Sequence, residues 1–216
     1  MRVFVALDIP EEVRAAIGAL IEKLRPASDN ILAGSKRSPN PILAGSKRSP
    51  NPARWVRIEG IHVTLKFIGE VPPEKIEPIK ASLSQIHLPK LITLKFRGVG
   101  FFPNERRPRV LWAGIEAGAE LGALAAAIET SLEPLGIAKE QRIFSPHLTL
   151  ARFDAARSRP SASAFDRLHE AISKAGPLEF GSSIASEFHL YQSILKRGGA
   201  EYTRLATFRF AGGESQ

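Results

Sequence analysis

The chain has 216 residues, a formal net charge of +8, ordinary apolar and charged fractions, and no cysteine. Its length gives ample material for a hydrophobic core, as one large domain or two small lobes sharing an interface. The lack of cysteine excludes disulfides and thiolate chemistry and fits a reducing cytoplasm, while no stretch approaches a membrane span.

Residues 2–9 predict a strand, too briefly apolar for a signal peptide. Pro10 suits the first position of a helix, with Glu11 and Glu12 in its first turn. Val13, Ile17, Leu20, Ile21 and Leu24 recur at helical spacing, and Pro26 is expected to end the helix. Residues 31–41 read ILAGSKRSPNP, and residues 42–52 read the same again. Two identical copies rich in Pro, Gly, Ser and Asn cannot stack into a core. Residues 26–53 are therefore expected to form a loop inserted into a single two-lobed domain spanning residues 1–216. The repeat carries Lys36, Arg37, Lys47 and Arg48 and no acids, so without it the net charge falls from +8 to +4. The basic excess suggests an anionic partner, but half of it sits here. The loop reads either as a basic flap near a site or as a tolerated insertion.

A short strand is predicted at residues 54–58, and a second at 62–68, ended by Gly69. Pro72 and Pro73 open a helix with Ile76, Ile79 and Leu83 on one face, and His87 beyond it reads as a surface residue. Strands at 91–101 and 110–116 flank the basic loop 103–109. Leu121, Leu124, Ile128, Leu132 and Leu135 mark an Ala-rich helix closed by Gly136. A strand at 147–153 and a loop at 155–163, with Arg157 and Arg159, lead to a helix bearing Phe165, Leu168 and Ile172. His169 falls off that apolar face and is expected to be exposed. Strands at 178–184, 187–195 and 202–210 close the chain, with a turn at 196–199 and His189 as a structural strand residue. Two similar passes, each a motif strand, a helix and a pair of strands, predict an α+β fold. It would have two pseudo-symmetric lobes of antiparallel sheet, helices outside and a cleft between them.

The motif strands organise this reading. His62-Val63-Thr64-Leu65 and His147-Leu148-Thr149-Leu150 both alternate polar and apolar residues. On each strand the imidazole and hydroxyl share one face, anchored by two apolar side chains behind. Two such strands facing each other would bring together two proton-transfer groups near neutral pH and two hydroxyls suited to a phosphate. The bland alternative is a pair of ordinary strand histidines, hydrogen-bonded in place.

With its neighbours, the pattern resembles the 2H phosphoesterases, and among them the RNA 2′,3′-cyclic phosphodiesterases, also called 2′-5′ RNA ligase-like proteins. The residues that carry the resemblance are His62 to Gly69 (HVTLKFIG) and Ser145 to Arg152 (SPHLTLAR). Arg2 to Leu7, Pro108 to Gly114 and Leu190 to Ser193 support it. The tandem repeat departs from the short connection usual in that family. The resemblance implies a substrate RNA ending in a 2′,3′-cyclic phosphate, or a nucleoside 2′,3′-cyclic phosphate, opened to a 2′-phosphate without a cofactor. It implies that His62 protonates the departing 3′-oxygen, that His147 deprotonates water, and that Thr64 and Thr149 hold the non-bridging oxygens. Arg152 is a further phosphate or base contact, although a regular strand would turn it away from Thr149.

Three rivals remain. Ligation would replace water with an RNA 5′-hydroxyl. A non-catalytic RNA-binding module would rest on the basic loop at 106–109 and the repeat, but phosphate binding alone does not require histidines. A metal hydrolase lacks Asp or Glu at ligand spacing beside the two histidines, so no metal is expected.

Overall fold

The computed structural model describes residues 1–29, 53–87, 91–153, 165–196 and 199–210. The tandem repeat and the loop at 155–163 lie outside them. Sixteen elements or turns reduce to nine strands, four α-helices and three short 3-10 turns among the described residues. In chain order these are β1 (Arg2–Leu7), α1 (Glu11–Asp29), β2 (Ala53–Trp55), β3 (Val63–Glu70) and α2 (Ile76–Ser84). Then follow β4 (Ile92–Phe102), β5 (Val110–Ala117), α3 (Ala119–Leu132), β6 (His147–Phe153) and α4 (Asp166–Lys174). The chain closes with β7 (Glu179–Ala185), β8 (Glu187–Lys196) and β9 (Gly199–Arg209).

The strands form two antiparallel sheets, ordered β3-β1-β8-β9 and β2-β6-β5-β4-β7. The expected α+β architecture with two sheets is what the chain adopts, but the two passes do not each close a sheet. Strands β4 and β5, which follow the first motif, join the sheet of the second. Strand β8, which follows the second motif, returns to pair with β1 beside the first, with Arg2 opposite Ser193. The helices cross over as well. α1 leaves β1 yet packs on α4 and β7, and α3 leaves β5 yet packs on β3 and α2. Strands β4 and β5 each lay one face on the core: Ile92, Leu94 and Phe96 on β4, and Leu111, Ala113 and Ile115 on β5, are all buried. α3 buries Leu121, Leu124, Ile128 and Leu132 at helical spacing, and Gly136, at φ 76°, supplies the left-handed residue that stops it.

Two boundaries differ from the expectation. α1 continues through Pro26 to Asp29, so the inserted segment cannot start at residue 26. Its buried stripe of Ile17, Ile21 and Leu24 extends to Ser28, which is fully buried and accepts a hydrogen bond from the Trp55 indole at 3.0 Å. That packing against β2 outweighs the helix bond that Pro26 cannot donate. The strand expected at 54–58 is only Ala53–Trp55, because Ile58–Gly60 wind into a 3-10 turn.

Candidate active site

Strands β3 and β6 share a feature that a two-residue period cannot show. Along β1–β3, Ala6 pairs with Thr64 and Val5 with Lys66, so Leu65 is an extra residue. Along β5–β6, Trp112 pairs with Thr149 and Leu111 with Ala151, so Leu150 is extra. These are β-bulges at equivalent places in the two motifs, and each shifts the following side chains by one step. Leu65 and Lys66 are consecutively buried, as are Leu150 and Ala151. The bulge corrects the expectation for Arg152. It returns to the side of His147 and Thr149 and lines the same cleft.

That cleft, of about 270 Å³, is lined by His62, Thr64, His147, Thr149 and Arg152 together. Arg54, Arg57 and Tyr202 line it too, and among the described residues no carboxylate does. The first motif enters from the 3-10 turn, so β3 begins at Val63 and His62 stands just before it. The Gly60 carbonyl accepts from the His62 Nδ1 at 2.8 Å, and the Ser145 carbonyl accepts from the His147 Nδ1 at 2.8 Å. A carbonyl can only accept, so each neutral ring carries its proton on Nδ1 and keeps Nε2 bare.

The surroundings of the two rings differ. His62 stacks on Phe4 at 4.5 Å between centroids and meets the edge of Tyr202 at 5.1 Å. Burial pushes its pKa down to about 4, opposed by the Gly60 hydrogen bond and by Asp8, and assisted by Arg14. Among the described residues, the one ring that His147 meets is the edge of Phe102, at 5.0 Å, with Trp112 beyond it. Behind Phe4, Tyr191 donates to Asp8 at 2.6 Å, and Arg204 holds the other carboxylate oxygen. Burial, with the bond to Asp8, pushes the Tyr191 phenol up to about 12.

The remaining histidines stand apart from the cleft. His189 is a buried strand residue, as expected, bonded to Thr207 at 3.0 Å, with Asp8 and Glu187 at 3.5 and 3.6 Å. His87 is exposed. His169, expected to be exposed, is half-buried because its ring rests 4.9 Å from that of Phe101. The basic loop before β5 does not line the cleft; Asn104 turns it by accepting from the backbone of Arg106 and Arg107. Sequence reading missed Arg54, Arg57 and Tyr202. Tyr202 reaches His62 from β9, a contact across 140 positions of chain that no local pattern shows. Among the described residues no three His, Asp or Glu side chains cluster as a metal site, and no helix is long and apolar enough to cross a membrane.

The LigT like Phosphoesterase family model matches residues 40–112 and 115–202. The chain belongs to this family. Among LigT-like relatives, an RNA 2′,3′-cyclic phosphodiesterase of Aeropyrum pernix is 38% identical over 151 residues, 69% of this chain and 82% of that protein. One of Archaeoglobus fulgidus is 30% identical over 208 residues, 96% of this chain and 99% of that protein. A crystal structure of a Thermus thermophilus protein superposes with a TM-score of 0.69 at 31% identity, covering 99% of this chain and 100% of that one. Escherichia coli LigT complexed with 3′-AMP superposes with a TM-score of 0.68 at 27% identity, covering 97% and 98%.

Proposed function

We propose that the chain hydrolyses RNA 2′,3′-cyclic phosphate ends to 2′-phosphomonoesters, without a metal, by two-histidine acid–base catalysis. One observation carries the reading. Two imidazoles with tethered Nδ1 atoms and bare Nε2 atoms line one cleft with two threonine hydroxyls, in a family whose relatives bear that activity in their names. A strained cyclic diester needs a base on one side, an acid on the other, and donors for charge growing on phosphate.

In this mechanism the His147 Nε2 takes a proton from water as its oxygen bonds to phosphorus. The bond from phosphorus to the 3′-oxygen breaks, and that oxygen takes the proton of His62. Thr64 and Thr149 donate to the non-bridging oxygens, with Arg152 beside them. The cycle leaves His62 neutral and His147 protonated, and exchange with solvent resets both. Burial makes a protonated His62 a strong acid but leaves it rarely charged in the free protein. The anionic substrate offsets that cost, so substrate binding itself loads the acid.

The test is turnover of a short RNA ending in a 2′,3′-cyclic phosphate, with and without exhaustive dialysis against EDTA. Equal rates and a 2′-phosphate product support the reading. No turnover, or a loss that zinc or magnesium restores, refutes the metal-free mechanism.

A further inference from the structure

The face of the first sheet that carries His62 and Thr64 bears a second group of titratable side chains. Along β1, Phe4, Ala6 and Asp8 alternate to one side. Ala6 stands between Thr64 of β3 and His189 of β8, and Phe4 is opposite Tyr191. Leu7 pairs with Val63, so Asp8 and His62 are the next residues on their strands and turn to the same side. The rings agree with that register, since Phe4 lies between His62, at 4.5 Å, and Tyr191, at 5.5 Å. Tyr191 donates to one Asp8 oxygen at 2.6 Å, and Arg204 binds the other. The His189 Nε2 is 3.5 Å from that second oxygen. Burial pushes the His189 pKa below the ordinary histidine value, so this ring is neutral at neutral pH and leaves the carboxylate its charge.

Asp8 does not line the cleft, so its influence on the reaction runs through His62. The ring's Nδ1 is tied to the Gly60 carbonyl, and both Asp8 oxygens are held by Tyr191 and Arg204. The carboxylate therefore favours a charged ring without a hydrogen bond that would draw off the Nε2 proton. We propose that Asp8 is a positioning residue for the acid step: its fixed carboxylate supplies the negative charge against which His62 carries the proton it gives to the 3′-oxygen. The inference rests on the function proposed above and adds a residue to it. The other groups around the ring leave this part to Asp8. Arg14 of α1 opposes a charged ring, but its guanidinium is taken up by the carbonyls of Ile9 and Ile58 and by Glu11. Tyr202 presents only a ring edge. Asp8 is exposed, so solvent screens its charge and the effect is a fraction of what the acid itself contributes.

Asp8→Asn tests the assignment, because the amide keeps the shape and an acceptor for Tyr191 while removing the charge. The quantity to read is the rate on a nucleoside 2′,3′-cyclic phosphate divided by the rate on an activated diester that releases p-nitrophenolate. Both reactions need the base and only the first needs the acid, so the ratio cancels any loss of folded protein. Asp8→Asn should lower the ratio about tenfold at neutral pH, the change in proton occupancy that one pKa unit represents. Asp8→Glu should keep most of it. The deficit should narrow at the acid end of the pH profile, where His62 gains its proton without help. Glu187→Gln removes the other carboxylate near His189 and should leave the ratio in place. An unchanged ratio in Asp8→Asn, or a deficit equally large at the acid end, overturns the assignment. So does an equal fall in Glu187→Gln, which would mean a diffuse field. An NMR titration of the His62 ring in the free protein reads the same charge without turnover. Its midpoint should be lower in Asp8→Asn than in the unaltered protein, and equal midpoints overturn the assignment. If neither substrate is hydrolysed, the activity proposed above fails while the titration still decides the part played by Asp8.

Discussion

Strands β3 and β6 carry the same tetrapeptide pattern, tie their histidines to the carbonyl two residues back, and bulge at the same leucine. They part at the two residues that follow. After the first bulge, Lys66 turns into the core and pairs with Glu129 at 2.6 Å, while Phe67 stands 52% exposed under the Arg2 guanidinium. After the second, Ala151 is buried and Arg152 faces the cleft. One bulge thus serves to anchor its strand, through Lys66, to α3 and to the Ala138 carbonyl. The other serves to aim a cation at the site. The two histidines diverge in the same way, one enclosed by rings and one more open. A repeated backbone device sets position, and its neighbours set the role.

The largest expected effect breaks the symmetry of the histidines. His62→Ala and His147→Ala should each slow a natural cyclic phosphate by roughly a hundred- to ten-thousand-fold. On a p-nitrophenyl phosphodiester, whose leaving group departs without a proton, His62→Ala should recover much of its rate while His147→Ala stays slow. Recovery by His147→Ala instead would reverse the roles. Next is the anchor. Lys66→Met leaves Glu129 without its cation in a largely buried place and should cost about 3 kcal/mol in urea unfolding. A loss below about 1 kcal/mol would mean that the first bulge needs no tie.

A third, smaller effect concerns pH. The native His62 pKa, about 4, lies below that of an unfolded histidine, 6.5. Between those values the unfolded chain binds a proton that the native chain does not, so stability rises with pH across the window and falls as pH drops through it. The contribution is at most about 3 kcal/mol below pH 4, and His62→Gln should flatten that stretch of the stability curve. A variant curve parallel to the native one would show that the ring cage does not depress His62. The smallest effect separates both motifs from the segment between α1 and β2. Deleting residues 42–52 should shift stability by no more than about 0.6 kcal/mol, since loop length is entropically cheap. Turnover of a mononucleotide should hold. A large drop in melting temperature would mean that the repeat packs against the body, and weaker binding of long RNA alone would mark it as a basic flap.

Local pattern is enough for the helices, for most strands, and for the faces of His62, Thr64, His147 and Thr149, because periodicity of two or 3.6 is written in consecutive residues. It fails where a partner decides. The bulges at Leu65 and Leu150 are defined only by the strands opposite, so a regular period puts Arg152 on the wrong side. Pro26 stays helical because β2 packs on the turn that contains it. The rings around His62 come from β1 and β9, far apart in sequence, and so does the reciprocal exchange of strands between the sheets.

That exchange makes the described strands pass between the sheets four times: from β1 to β2, β2 to β3, β3 to β4 and β7 to β8. A jaw that swings needs a narrow hinge, and this molecule is stapled at several points. The gap between the imidazoles is thus inherited from the whole fold, and activity should vanish in the same cooperative step as the native state. Assembly is bound by the same stitching. Strand β1 waits for β8, with Val3 opposite Gln192, and such distant pairings close late. During synthesis both histidines leave the ribosome well before the strand that completes the sheet behind His62.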